Sequence, residues 1–508
     1  MFGCIFSYSY FHPTAQLTRL GGGPASLILS YILHGHVPQY TGRHYDDLLH
    51  ARLSQTPDLL NISPEAYAHF SSSLRYSTQA LPLNTLLDTL IRPNADTEIN
   101  PKSCVEWRYE PRRAASHVVL TAAPGPGGQW VDNPVDASWD IGTLSYSEML
   151  SLPGYNYQEH YRIRHGKELP DFERPSRSDV ADYFNAYPRA VGIQDSIFTS
   201  TNVDNISRTE DGFFILPHGI HCKHLVLATG IFSLNIAPYP QLAPLASLRN
   251  EDEPILIIGS GFSAADVIIS TPPHRKIIHI FKWQPDSRPS PLRGCHHQAY
   301  PEYAGVYRQM KLAAIATKKK SAVAPSPLLR RKSNPFFNQR DWSSVYEGLP
   351  NAQVVDVRQG FNSAVVSIRH DSGEIIERVV GQLAYVVGRR GTLSYLDNAL
   401  RSEVLPLSNS TDELISGRTL RSKVEHSFEV APDVFVVGSL AGDSLVRHAF
   451  GGCVAVAGSI MGVGNRTPPR LMNGDADVGA SRPSSPLATN GVAHEDLHRD
   501  RREELRVS

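Results

Sequence analysis

The segment Pro254–Ser270 combines an apolar run, a glycine turn and an amphipathic stretch. It reads PILIIGSGFSAADVIIS, and the turn has the form Gly259-x-Gly261-x-x-Ala264. This order predicts a buried strand, a tight turn and the start of a helix, which together bind a dinucleotide pyrophosphate at the helix N-terminus. Gly259 permits the turn, Gly261 lets the backbone approach the phosphates, and the small Ala264 lets the helix lie close to the strand. We therefore predict a dinucleotide site here.

The strand after this turn indicates which dinucleotide binds. An acidic residue at its end would bind a ribose 2′-hydroxyl, whereas a basic residue would accept a 2′-phosphate. The chain has Lys282 there, in KIIHIFKW, and no acid. Lys282 therefore favours NADPH, with an ordinary surface lysine as the alternative.

A second glycine-rich turn lies near the start of the chain. Gly21-Gly22-Gly23-Pro24-Ala25-Ser26 precedes a helical pattern, and Ser26 stands where a third glycine is usual. Two such turns in one chain suggest two dinucleotides, one of which passes electrons to the other. A flexible glycine-rich terminus is the alternative. The preceding TAQLTRL is a poor buried strand. Either tertiary context overrides its propensity, or the true first strand is missing from this terminus, and we favour the second interpretation.

Two further segments carry candidate binding residues. Asp443 follows a buried strand and Ala-Gly and precedes a long helical pattern, Ser444–Met461. It is predicted to cap that helix and, beyond this, to bind a ribityl hydroxyl of a flavin. Gly128, Gln129 and Trp130 follow the strand His117–Leu120; they form either an ordinary turn or a loop over a flavin ring.

Composition narrows the function classes. The 508 residues are 41% hydrophobic and 19% charged, with a net charge of −1, so nothing favours nucleic acid or an anionic membrane as a partner. The five cysteines are scattered without metal-ligand spacing, which fits a reducing compartment and no metal site. Without a secretory signal or an apolar run of about 20 residues, the chain is predicted to be soluble and cytoplasmic.

Two polar segments are predicted to lie outside the folded core. Lys318–Lys332 is basic and rich in Pro and Ser, typical of an exposed insertion or linker; nuclear localisation or anion binding is the alternative. Residues 464–508 cannot bury enough apolar surface and are predicted to be disordered.

Across most of Gly21–Met461 the chain resembles the oxidative stress-induced growth inhibitor family. That family lies within the class B flavin-dependent monooxygenases, with the ornithine/lysine N-monooxygenases and the flavin-containing monooxygenases. The segments that carry the resemblance are GGGPASLILSYILHG, GGQW, EMLSLPGYNY, RPSRSDVADYF, HLVLATG, PILIIGSGFSAADVII, YPEYAGVYRQM and VFVVGSLAGDSLVRHAFGGCVAVAGSIM.

The resemblance implies an α/β fold with two Rossmann-like domains. An NADPH-binding domain, 246–400, would be inserted between two parts of an FAD-binding domain, 21–245 and 401–463, after an atypical N-terminus, 1–20. The implied FAD contacts are Gly21, Gly23 and Ser26 for the phosphates, Gly128–Trp130 for the ring and Asp443 for the ribityl chain. Thr121 follows the strand ending at Leu120, where an acid usually holds the FAD ribose.

The resemblance also implies an activity. NADPH would reduce FAD, and a C4a-(hydro)peroxyflavin formed with O₂ would oxygenate a small organic substrate, with a role in secondary metabolism as the expectation. The cofactor would carry the chemistry while the protein orients it and excludes water, so no catalytic side chain is predicted. A peroxide-forming oxidase and a non-catalytic or redox-sensing regulator remain open alternatives.

Overall fold

The structure is a computed structural model that describes residues 14–42, 44–62, 68, 80–94, 101–319, 340–405, 414–425 and 427–462. The predicted tail, 464–508, and the greater part of Lys318–Lys332 lie outside these residues. Within them, the chain forms a mixed α/β fold built on two parallel sheets.

The strands of the described residues are, in chain order, β1 (Thr14–Leu20), β2 (His36–Tyr40), β3 (Val105–Tyr109), β4 (His117–Leu120), β5 (Ile197–Phe198), β6 (Ser207–Arg208), β7 (Phe214–Leu216), β8 (Ile220–Leu227), β9 (Leu234–Asn235), β10 (Ile255–Ile258), β11 (Ile277–Phe281), β12 (Tyr346–Pro350), β13 (Gln353–Gln359), β14 (Ala364–Arg369), β15 (Ile375–Val380), β16 (Gln382–Tyr385), β17 (Arg389–Thr392), β18 (Leu414–Ile415), β19 (Glu429–Ala431) and β20 (Val434–Val436).

The α-helices of the same residues are α1 (Pro24–Leu33), α2 (Asp47–Gln55), α3 (Pro82–Ile91), α4 (Ser147–Leu150), α5 (Tyr157–His165), α6 (Arg177–Ala190), α7 (Phe262–Ser270), α8 (Pro301–Lys319), α9 (Trp342–Val345), α10 (Asn398–Val404), α11 (Arg421–Val424) and α12 (Phe450–Ile460). No helix of the described ranges is long and apolar enough to cross a membrane.

The first sheet has the strand order β19-β20-β8-β1-β4-β5, with β7 pairing β8 and β6 beyond it. β1 lies between β4 and β8 and runs parallel to both. The expectation that the first strand is absent from this terminus is therefore wrong. Tertiary pairing overrides weak strand propensity here, because β1 is hydrogen-bonded on both edges and buries Leu17 and Leu20.

The second sheet has the order β12-β11-β10-β16, and all its neighbouring strands run parallel. Alternate residues of β10 point to opposite faces, so Ile255 and Ile257 join one apolar cluster and Leu256 joins another. Burial on both faces explains the continuous apolar run ILII, since parallel sheets are covered on both sides.

A short antiparallel ribbon connects the part of the chain that forms the first sheet with the part that forms the second sheet. β9 follows β8 of the first sheet in sequence and pairs antiparallel with β17, with Arg389 opposite Asn235 and Arg390 opposite Leu234, in a small sheet of order β18-β17-β9. The second sheet and the antiparallel sheet β13-β14-β15 both lie between these two strands in sequence.

Ser176 caps α6: its side chain accepts the backbone N–H of Asp179, whose carboxylate accepts the N–H of Ser176, forming a capping box. One helix prediction needs correction. The predicted helix Ser444–Met461 begins later, because Val446–Ala449 forms a short 3-10 helix with a kink at His448, and α12 starts at Phe450.

Candidate dinucleotide sites

The first glycine turn follows β1 directly and leads into α1. The Gly21 N–H donates to the Leu120 carbonyl at 2.8 Å, and the Ala228 N–H donates to the Leu20 carbonyl at 2.9 Å. Gly21 has φ +106°, and a Cβ atom there would lie 2.4 Å from the Ala228 oxygen. Only glycine fits this position, so the turn is held tightly between the ends of the neighbouring strands.

Gly23 and Ser26 take different places in this turn. Gly23 is the N-cap residue of α1, and a Cβ atom built on it meets no atom within 4 Å. Ser26 is fully buried in the first turn of α1, where a small residue lets the helix lie close to the sheet. Gly23 therefore faces open space, whereas Ser26 lies in the interface between α1 and the first sheet.

The loop Gly128–Trp130 lies against the glycine turn. The Gly127 N–H donates to the Gly22 carbonyl at 2.8 Å, and the Trp130 ring packs edge-on against Phe184 with centroids 5.8 Å apart. The Gln129 Oε1 atom is buried without a hydrogen-bond partner among the described residues. A buried amide oxygen in that state is costly, and a ligand donor would satisfy it.

Asp443 is buried, and its carboxylate is held by groups from two other elements. Its Oδ2 accepts the Leu81 N–H at 2.8 Å and the Asn84 Nδ2 at 2.7 Å, while its Oδ1 accepts Arg421 Nη1 at 3.2 Å. The prediction that Asp443 caps the following helix is wrong, because its carboxylate instead serves the N-terminus of α3.

These segments enclose a cavity of about 450 Å³. Of the residues predicted to bind FAD, Gly21, Gly23, Gly128–Trp130 and Asp443 line this cavity, and Ser26 does not. The remaining lining includes residues from the ends of β4, β8 and β20 and from the segment before α12: Leu20, Gly22, Pro24, Ala25, Leu120–Ala123, Gly127, Asp132, Pro134, Thr201–Val203, Ala228–Gly230, Phe232, Ser233, Thr392, Tyr395, Gly438, Ser439, Ser444–Val446 and Ala449.

Sequence reasoning missed Tyr395 on the cavity wall. Its hydroxyl lies 3.0 Å from Thr229 Oγ1, at the end of β8, and burial raises the pKa of this phenol. The tyrosine is therefore neutral and can give or accept a hydrogen bond. No motif marks it, because it reaches the cavity from the segment after β17, far in sequence from Thr229.

The second glycine turn joins β10 to α7. Gly259 has φ +155°, and a Cβ atom there would lie 2.4 Å from the Val386 carbonyl oxygen. Gly261 is the N-cap residue of α7, and Ala264 is buried on the face of α7 that packs against the second sheet. The predicted strand, turn and helix are all present, although none of these residues lines the cavity of the first turn.

His279 of β11 contacts the second glycine turn, and no sequence motif marks it. Its Nε2 lies 2.7 Å from the Gly259 carbonyl oxygen, and its Nδ1 lies 2.8 Å from the Tyr346 hydroxyl. Burial lowers the pKa of His279 to about 4, so the ring is neutral at pH 7. A neutral ring can donate from Nε2 to Gly259 while Nδ1 accepts from Tyr346.

Lys282 follows β11 and is exposed. The loop that it begins returns to the glycine turn, where Ser290 Oγ donates to the Ser260 carbonyl at 2.6 Å. The Gly259 N–H donates to the Ile280 carbonyl at 3.0 Å, so Lys282 lies two residues beyond the strand position that pairs with the turn.

Comparison with known proteins supports this architecture. No family model matches the chain. Mouse oxidative stress-induced growth inhibitor 1 is 25% identical over 499 residues, covering 89% of this chain and 96% of the mouse protein.

Among solved structures, bacillithiol disulfide reductase from Bacillus cereus is 13% identical with a TM-score of 0.50, covering 89% of this chain and 100% of the reductase. A flavin monooxygenase variant from Stenotrophomonas maltophilia gives 13% identity and a TM-score of 0.47, covering 88% and 98%. The predicted α/β fold is confirmed. The predicted resemblance is confirmed as well: over 89% of its length the chain is similar to the oxidative stress-induced growth inhibitor proteins.

Proposed function

We propose that the chain is a flavin-dependent monooxygenase that binds FAD in the cavity and NADPH at the Gly259 turn, and oxygenates a small organic substrate with O₂. The observation that carries the proposal is the cavity itself. It brings the first glycine turn, the Gly128–Trp130 loop and Asp443 to one place, although these segments are far apart in sequence.

The residues of the cavity fit a flavin dinucleotide. The close backbone approach at Gly21 and the open space at Gly23 suit a pyrophosphate at the start of α1. Gln129 offers a buried oxygen that needs a donor. Asp443 lines the same cavity, and a carboxylate oxygen that already accepts from Arg421 still has a lone pair for a ribityl hydroxyl.

The residues of the second turn fit NADPH. α7 begins at Phe262 and presents its N-terminus to the turn, while Lys282 supplies a cation for the 2′-phosphate. The FAD-binding domain would comprise 14–245 and 401–463, since β1 belongs to the first sheet. The NADPH-binding domain would comprise 246–400, with the second sheet as its core.

Bound FAD would supply the redox chemistry, accepting hydride from NADPH and passing electrons to O₂. The chain would bind the two cofactors, orient them and exclude water. Trp130 lines the cavity and packs edge-on against Phe184, which supports a role for Trp130 in keeping water from the flavin ring.

A spectroscopic experiment tests the proposal. The purified protein, reconstituted with FAD, should show flavin absorbance that bleaches when NADPH is added without oxygen and returns when air is admitted. Peroxide and oxygen consumption, measured together, distinguish a peroxide-forming oxidase, which converts all consumed O₂ to peroxide, from an oxygenase. A colourless protein that takes up no FAD would refute the proposal.

A non-catalytic or redox-sensing regulator is the second candidate. Thr121, not an acid, follows β4 at the cavity wall, and the relatives of the chain are named growth inhibitors. This candidate predicts that FAD binds and NADPH produces no turnover. Sustained NADPH oxidation in air would exclude the non-catalytic form.

A further inference from the structure

Two arginines from distant parts of the chain meet at Asn133. Arg177, at the start of α6, donates from Nη2 to the Asn133 carbonyl at 3.4 Å. Arg389, the first residue of β17, donates from Nη1 to Asn133 Oδ1 at 3.3 Å and to the Phe232 carbonyl at 3.4 Å. The two guanidinium groups therefore occupy one small region.

This arginine pair, Arg177 and Arg389, lies between the two candidate sites. On one side is the cavity proposed for FAD. Its lining includes Asp132 and Pro134, which flank Asn133 in sequence, and Phe232, whose carbonyl accepts from Arg389. On the other side, the pair lies near Asp266 of α7, whose Oδ1 accepts the Tyr303 hydroxyl at 2.8 Å. Asp266 is five residues after Gly261, about 7.5 Å along the helix axis.

The region carries an excess of positive charge. The pKa of Arg389 is lowered by burial and then by Arg177, which shows that the two cations oppose each other. Asp266 is the carboxylate that acts on both cations, and burial raises its own pKa to about 6. Arg177 Nε is also buried with no hydrogen-bond partner among the described residues. An anion would relieve both the repulsion and the unmet donor.

We propose that the arginine pair binds the pyrophosphate of the nicotinamide dinucleotide where it passes from the Gly259 turn to the FAD cavity. The inference rests on the proposed function, since it takes the second turn to hold such a dinucleotide. Asp266 then limits the local charge when the dinucleotide is absent. The pair recognises a phosphate shared by NADPH and NADH, whereas Lys282 reads the 2′-phosphate that only NADPH has.

Two substitutions should change the dinucleotide affinity in opposite directions, which distinguishes a binding role from a purely structural one. Arg389→Gln removes a cation, so it should weaken the binding of NADPH and NADH alike by about tenfold, as for a lost charged hydrogen bond. Asp266→Asn keeps an acceptor for Tyr303 but removes an opposing charge, so it should tighten both by about fivefold, the effect of one charge at about 8 Å in a half-buried setting. If the cluster served only to hold the fold, both variants would weaken binding.

The experiment measures dissociation constants of NADPH and NADH by titration of the FAD-loaded protein, with FAD affinity and melting temperature measured separately. Lys282→Gln is the comparison variant and should weaken NADPH only. Arg358→Gln is the control, since Arg358 is exposed on β13 and pairs with Glu377. Arg177→Gln should also weaken the binding of both dinucleotides. Its melting temperature is needed as well, because Arg177 stacks on Trp139 at 3.9 Å and its loss could affect the fold.

Three results would overturn the inference while the proposed function stands: Arg389→Gln binds both dinucleotides as the wild type does, it weakens NADPH alone, or Asp266→Asn weakens binding. A wild-type protein that binds FAD but neither dinucleotide would overturn both the inference and the NADPH part of the proposed function.

Discussion

Gly21 and Gly23 stand two residues apart in one turn, yet a side chain would affect them differently. Gly21 has a left-handed backbone and its Cβ position is blocked by the Ala228 carbonyl, whereas Gly23 has φ −74° and an open Cβ position. A substitution at Gly21 would therefore damage the fold and say little about a ligand. Gly23 allows the ligand site to be tested alone.

We predict that Gly23→Val folds normally and loses FAD. Its two methyl groups would extend into the cavity beside the first turn of α1, where the phosphates are proposed to lie. FAD affinity should fall by more than tenfold, measured by flavin fluorescence during reconstitution, while the far-ultraviolet circular dichroism stays that of the wild type.

Gly294→Val is the matched control, since Gly294 also has open space at its Cβ position and does not line the cavity. FAD retention by the Gly23 variant at wild-type affinity would contradict the assignment of the phosphate site.

His279 gives the protein a distinct pH dependence. Its pKa in the folded protein is about 4, below its ordinary value of 6.5, so between these values the unfolded state binds more protons than the folded state. The stability that His279 contributes is complete above pH 6.5 and is lost as pH falls toward 4. The groups that face its ring are the Gly259 carbonyl, the Tyr346 hydroxyl and the Phe281 ring.

We predict that His279→Phe lowers the free energy of unfolding at pH 7 by about 1–3 kcal/mol, because two buried partners lose their hydrogen bonds. The difference between wild type and variant should shrink as pH falls from 6.5 to 4. Urea unfolding across this range measures it, with His274→Phe, at an exposed position, as the control. A difference independent of pH would mean that the ring does not titrate as proposed.

At the scale of elements, Asp443 fastens α3 to the segment that precedes α12. The carboxylate accepts from Leu81 and Asn84 of one element, while Asn84 Oδ1 in turn accepts the Gly452 N–H at 2.7 Å. Gly451 fits against α3 because a Cβ atom there would lie 2.1 Å from the Leu83 carbonyl oxygen. The close packing at Gly451 is thus between α12 and α3.

We predict that Asp443→Asn destabilises the protein by about 1–3 kcal/mol, since the new amide group faces donors that need an acceptor. Chemical denaturation measures the loss, and Asp371→Asn, in an exposed turn, is the control. If Asp443 also binds the ribityl chain, FAD affinity should fall in this variant, and FAD should then stabilise it less than it stabilises the wild type. An unchanged FAD affinity would show that Asp443 holds the two helices only.

The elements show which predictions a sequence supports and where they fail. The turn at Gly259 was predictable because an apolar run, two glycines and a helical pattern stand within 17 residues (Pro254–Ser270). β1 was not, because its strand character comes from pairing with β4 and β8. The partners of Asp443 were not predictable either, since Leu81 lies some 360 positions away and gives no local signal.

At the scale of the whole molecule, one cavity depends on residues from Leu20 to Ala449. The ends of four parallel strands, β1, β4, β8 and β20, and the start of two helices contribute to it, so a ligand there contacts much of the first sheet at once. Binding to the folded state alone raises stability by about 2.7 kcal/mol at a hundredfold excess over the dissociation constant.

We predict that saturating FAD raises the melting temperature of the apoprotein by several degrees, and that NADPH adds a smaller shift. Differential scanning fluorimetry at a series of FAD concentrations measures both. AMP at matched concentration is the control, because it lacks the flavin. An unchanged melting temperature with FAD would contradict the cavity as its site.

The ribbon of β9 and β17 has an evolutionary consequence. The chain departs at Asn235 and comes back at Arg389, its direct partner across that ribbon, so more than 150 residues begin and end within one strand spacing. A gene could acquire such a block in a single splice without stretching the ancestral backbone. The same closeness means that the two units proposed to bind nucleotides could have been joined late, each already folded, rather than shaped together from the start.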